Sequence, residues 1–212
     1  ATTYPVGTNS EVTGVPNYSE DGGVLIQNTT TGQIEQSTIT PDAGTTTPET
    51  NTSNSGNEAM EAFYNKVLSQ LGQGRNAAGN TVYGEWWASR VSNSAFKDAA
   101  WCAMFVTWCA NESGVPRDVI KPYAYCPTGV GYFKDMGVWH GRDGYTPKAG
   151  DVIFFSFGGV RSDHTGLVEY VKDGYVHTVE GNTGTNIGGN NVRGVWEHSY
   201  SVGSATILGY GI

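Results

Sequence analysis

The chain has 212 residues, of which 38% are hydrophobic, 12% aromatic and 15% charged, and 30 are glycine. No apolar run approaches the roughly 18 residues that a bilayer span needs, and neither a collagen repeat nor a coiled-coil pattern is present. The net charge of −8 comes without any basic stripe, which sets aside nucleic acid and anionic membrane surfaces as partners.

Charge is distributed unevenly. Residues 1–57 contain no Lys or Arg but carry Glu11, Glu20, Asp21, Glu35, Asp42 and Glu49, so most of the negative charge sits in the first quarter or so of the chain. The chain starts at Ala1 without a Met and without a signal-peptide pattern, which suggests a removed leader or an excised fragment.

Residues 1–43 read as an N-terminal arm. Within it, two β-prone runs, Val24 to Asn28 and Gln33 to Ile39, flank a Thr-Thr-Gly turn and predict a hairpin that would be marginal alone. Two readings of the arm stay open: a floppy segment, or a strand pair that adds to another protein chain or a phage tail component. Residues 44–57, rich in Thr, Ser, Asn and Gly, read as a flexible linker. The folded domain is expected over 58–212.

Met60, Phe63, Tyr64, Val67, Leu68 and Leu71 recur at helical spacing up to Gly72 and Gly74. A second, strongly apolar helix is predicted from about Trp101 to Ser113, closed by Gly114 and Pro116, and a third, short one around PTGVGYFKDMG. After Pro147 the pattern changes to period two. DVIFFSF, HTGLVEYVKD, YVHTVE, VRGVWEHSY and ATILGYGI are short strands divided by Gly and Asp turns, so helices precede an antiparallel sheet in an α+β domain.

Cys102, Cys109 and Cys126 make an odd count, so at least one thiol lies outside any intramolecular disulfide. Cys102 and Cys109 on one helix would be roughly 10 Å apart, too far to bridge. A Cys109–Cys126 disulfide and three reduced cysteines both remain open. The spacings hold no zinc pattern.

Cys102 opens the apolar helix. Unpaired N–H groups and the helix dipole at that end favour thiolate over thiol, which is where a nucleophile belongs, although a cysteine in so apolar a run is more often a core residue. Among the four histidines, His140 and His198 read as surface or edge residues and His177 as mid-strand, whereas His164 opens a strand after a polar turn. In YVHTVEGN, alternation puts Val176, Thr178, Glu180 and Asn182 on one face and His177 on the other. A carboxylate beside a strand that starts with histidine can hold an imidazole in one tautomer, completing a nucleophile, base and orienter set.

With these residues in place, WCAMFVTWCANESG, PTGVGYFKDMGVW, PKAGDVIFF, DHTGLVEYV, YVHTVEGNTG and ILGYGI resemble, in order, the CHAP domain. This is the cysteine- and histidine-dependent amidohydrolase/peptidase group of papain-like bacterial and phage cell-wall enzymes. The resemblance covers about Glu58 to Ile212. It implies a papain-like α+β fold, Cys102 as nucleophile, His164 as base, Glu180 as third residue and Asn182 as a fourth. It further implies peptidoglycan as substrate, cleavage of either the muramoyl–alanine amide or a peptide bond, and action at the cell wall as a secreted enzyme or a phage endolysin. Some members bind calcium through an acidic loop before the nucleophile. The stretch here has only Glu85 and Asp98, so no metal or other cofactor is expected. The competing expectation is a tail or surface module that binds wall without cutting it.

Overall fold

The structure, a computed structural model, describes residues 52–212 and, before them, the backbone of residues 17–18, 24–27 and 34–36; side chains are described from residue 56 on. The chain divides into two units, Ala1–Glu49 and Thr50–Ile212. In the first, strands β1 (Asn17–Tyr18), β2 (Val24–Gln27) and β3 (Ile34–Gln36) pair antiparallel in the order β1-β2-β3. The Thr-Thr-Gly turn expected between the last two lies outside the described residues.

The second unit begins with helix α1 (Thr52–Leu68), so residues 52–57 are helical where the composition suggests linker. Ser, Thr and Asn are neutral to unfavourable inside helices, but a helix secured by an apolar face propagates through them. That face is supplied by Phe63 and Val67, both fully buried. Helix α2 (Val82–Arg90) was not expected from periodicity. Its start is nevertheless marked by Thr81, whose hydroxyl accepts a hydrogen bond from the Gly84 N–H at 3.0 Å as an N-cap. After a 3₁₀ turn at Ser94–Phe96 come α3 (Cys102–Glu112) and α4 (Cys126–Asp135), close to their predicted limits.

The strands follow: β4 (Trp139–Gly141), β5 (Val152–Phe155), β6 (His164–Lys172), β7 (Tyr175–Ile187), β8 (Asn190–Ser201) and β9 (Ile207–Gly211). They form one antiparallel sheet in the order β4-β9-β5-β6-β7-β8. Asp173 and Gly174 both adopt positive φ, 52° and 80°, which is the geometry of the tight hairpin turn that KDGY predicts. The fold is therefore α+β with helices before an antiparallel sheet, as expected.

The sheet carries a buried cluster on each face, and alternation, interrupted by register shifts in the β5–β9, β6–β7 and β7–β8 pairings, assigns most of its side chains. Val152 and Phe154 join the helices with Leu167, Val179 and Val195, while Ile153 and Phe155 join Val168, Val176, Ile207 and Tyr210 in a second cluster. On the helical side, Tyr83 stacks on Trp101 with centroids 5.1 Å apart and meets Phe105 edge-on at 5.2 Å. Helix α3 packs closely on the sheet at Gly181 of β7, where a β-carbon would stand 2.7 Å from Phe105 Cβ. Because Phe105 lies one turn beyond Cys102, this glycine sets the height of the α3 start over the end of β7. Among the described residues, no helix is long and apolar enough to cross a membrane.

Candidate active site

Cys102 is the first residue of α3, and no side chain caps the N–H groups of that turn. Burial alone would favour its thiol, yet its pKa is drawn well below the ordinary value. The largest cause is a hydrogen bond with the Cys126 thiol, followed by the hydrogen bond and charge of His164 and by the Ala103 N–H. The residue is buried, at 6% exposure.

His164 opens β6. Its Nε2 lies 2.8 Å from Glu180 Oε2. Burial opposes the charge on this imidazole. Its hydrogen bonds and attraction to Cys102 and Glu180 outweigh that cost and push its pKa up to about 10. One partner's pKa is lowered and the other's raised, the two directions that together favour a thiolate–imidazolium pair.

Glu180 is 1% exposed and held from several sides. Thr178 donates its hydroxyl to Oε1 at 2.6 Å, and the Tyr200 hydroxyl donates to Oε2 at 3.4 Å. Thr178 and Glu180 share a face of β7, as period two requires. Neither Thr178 nor Tyr200 was singled out from sequence. For Thr178 the signal was present, a hydroxyl two residues before the acid on its own face.

Asn182 departs from the expected arrangement. The register of β7 against β8 shifts between Glu180 and Thr183, and Asn182 takes a left-handed φ of 58°. A bulge resets alternation, so Asn182 no longer repeats the face of Glu180. Arg193 on β8 donates to the Asn182 backbone carbonyl at 2.7 Å and to its Oδ1 at 3.3 Å. Cys102, His164 and Glu180 are thus brought together, while Asn182 is turned towards Arg193.

The other expected minor residues fall outside this cluster. His177 stacks on Tyr170 with ring centroids 4.2 Å apart, His140 stacks on Tyr145 at 4.3 Å, and His198 Nε2 lies 2.9 Å from Thr183 Oγ1. All three cysteines are free thiols, so the Cys109–Cys126 bridge is not formed. Cys109 is fully buried, whereas Cys126 Sγ lies 3.7 Å from Cys102 Sγ.

Residues 92–182 match the family model of the CHAP domain, a stretch that runs from the 3₁₀ turn region to Asn182 and contains the whole thiol, imidazole and carboxylate cluster. The matched stretch is a CHAP domain. Members of that family are cysteine- and histidine-dependent amidohydrolases and peptidases of peptidoglycan. Among solved structures, the chain is similar to one titled "The crystal structure of Ly7917", with 16% identity and a TM-score of 0.42, over 71% of this chain and 61% of that one. The match thus spans less than two thirds of that protein's length. No curated protein matches the chain in sequence.

Proposed function

We propose that this CHAP domain is a peptidoglycan hydrolase that cleaves an amide bond through a thioester on Cys102, within a papain-like fold. The observation that carries the reading is the Cys102, His164 and Glu180 relay, closed at one end by the 2.8 Å His164–Glu180 contact. In this reading the Cys102 thiolate attacks the carbonyl carbon while uncapped N–H groups at the α3 start take up the oxyanion charge. The imidazolium of His164 gives its proton to the departing amine. Water, deprotonated by the same ring, then releases the acyl group, and Glu180 keeps the ring aligned throughout.

Phe157 and Tyr125, both about half exposed, support a substrate path at this spot. The Phe157 ring centroid lies 6.0 Å from that of His164, and Tyr125 immediately precedes Cys126 under the Arg161 guanidinium. Together they give an apolar rim suited to an extended peptide. Action on the wall puts the enzyme outside the cytoplasm, secreted or carried by a phage particle.

The test is digestion of purified cell walls. Cys102→Ala and His164→Ala should abolish release of soluble fragments, and Glu180→Gln should leave a measurable remainder. Near-normal lysis by Cys102→Ala overturns the reading. Mass spectrometry of the products assigns the bond: an amidase frees glycans from their peptides, whereas an endopeptidase leaves stems attached and exposes new amino ends.

A further inference from the structure

Cys126 has no part in the relay, yet its sulfur is the hydrogen-bond neighbour of the Cys102 sulfur at 3.7 Å, with both residues buried. The contact is built in rather than incidental. Cys102 begins α3 and Cys126 begins α4, so two helix starts converge on one pair of sulfurs, and neither helix has a side-chain cap. The segment leading into α4 is pinned to α3 by Thr107, whose hydroxyl donates to the Tyr123 carbonyl at 2.8 Å and accepts from the Tyr123 N–H at 3.3 Å. Gly129 completes the fit, since a β-carbon there would stand 2.7 Å from the Tyr123 ring.

We propose that Cys126 is a positioning residue of the active site, a thiol that donates its S–H to the Cys102 sulfur and holds that sulfur in place for attack. This rests on Cys102 being the nucleophile. Thiols are weak donors, but a donor to an anion in a buried site is worth more than one in water.

The surrounding groups suit the donor role. Cys126 faces Cys102 from α4, with Tyr123 before that helix and Asp163 at the entry to β6; His164 faces Cys102 from β6, backed by Glu180 on β7. The hydrogen bond to Cys102, burial, and the negative charges of Cys102 and Asp163 all raise the Cys126 pKa, whereas that of Cys102 is lowered, which makes Cys126 the donor side of the contact. Asp163 is itself fixed, accepting from the Phe157 N–H at 3.0 Å and the Gly158 N–H at 2.7 Å.

The test needs no wall substrate. The rate of iodoacetamide labelling of Cys102 is followed against pH, with the labelled residue identified by peptide mass spectrometry, in the wild type, Cys126→Ala and Cys126→Ser. Removal of the donor should raise the Cys102 midpoint by about one pH unit, a roughly tenfold loss of thiolate on its acid side. Cys126→Ser keeps a donor and should stay at or below the wild-type midpoint. Equal midpoints in all three proteins, or an equal rise in both variants, overturn the proposal. Should Cys126→Ala fail to fold, Cys126→Val takes its place: a midpoint equal to that of the wild type overturns the proposal, and one raised by about a unit while the serine variant stays unraised supports it. A wild type whose Cys102 labels only as an ordinary thiol would instead strike at the nucleophile assignment itself.

Discussion

Gly166 on β6 faces Glu180 so closely that a β-carbon at residue 166 would lie 2.7 Å from Glu180 Cγ and 2.8 Å from the Val179 carbonyl oxygen. Side chain and backbone of β7 would both have to give way. The absence of a side chain at 166 is therefore what lets the carboxylate reach back to His164, two residues earlier on the same strand.

Gly166→Ala should consequently damage catalysis more than folding. Crowding of a packed site costs about 1–3 kcal/mol. A displacement of the orienting acid by a sizeable fraction of an ångström should lower wall-lysis rates by roughly 10²-fold. Thermal melting measured beside turbidity loss separates the two, and a folded variant that keeps a third or more of wild-type activity shows that the β6–β7 spacing does not position Glu180.

The two hydroxyls on Glu180 should be unequal. Thr178 donates at 2.6 Å to a carboxylate with almost no solvent contact, and hydrogen bonds to charged groups are worth about 1.5–3 kcal/mol. The Tyr200 bond is long, at 3.4 Å. Thr178→Val, close in shape, should reduce the lysis rate about tenfold, and Tyr200→Phe by less than threefold. The reverse order in steady-state assays would mean that Tyr200, and not Thr178, anchors the acid.

The pH profile follows from opposite shifts in two partners. His164 has its pKa raised to about 10, so its proton, and the stability tied to it, is fully held below the ordinary histidine range and lost as pH rises through about 10. Cys102 has its pKa lowered, so the stability tied to its thiolate is fully present above the ordinary thiol range and is lost as pH falls through the lowered value. Activity should form a plateau between these limits with its alkaline edge near 10. Removing the thiolate takes away one of the two groups that raise the imidazole pKa. In Cys102→Ser, ring NMR of His164 should therefore show a midpoint well below that of the wild type; an unchanged midpoint would contradict the ion pair.

How much of this was legible beforehand depends on distance along the chain. The α3 start at Cys102, the strand start at His164 and the face of Glu180 follow from local periodicity, which sequence carries directly. The α2 helix escaped because its apolar residues lack a clear stripe, although Thr81 capped it in plain view. The three-residue β4 is too short for an alternation signal, since it exists through its pairing with β9. Cys126 escaped for a different reason. Its approach to Cys102 depends on the Thr107–Tyr123 clamp and on the room left by Gly129, which are tertiary facts with no local signature.

Asn182 shows where a local rule breaks down. Alternation was sound as far as Glu180, but the bulge that follows inserts a residue, and the left-handed φ of 58° marks the spot. Asparagine is among the few side chains that tolerate this conformation, which disfavours alanine by about 1–2 kcal/mol and costs glycine nothing. If residue 182 matters through its backbone, Asn182→Gly should keep at least half of the lysis rate and Asn182→Ala should melt earlier by about 1 kcal/mol of stability. If its amide acts on substrate or on the imidazole, both variants should lose more than tenfold in rate, with the glycine variant doing so at unchanged melting temperature. The Arg193 hydrogen bonds favour the first outcome, because they occupy the carbonyl and Oδ1 of Asn182 on the β8 side, leaving the bulge as a device that ends the regular pairing just past Glu180.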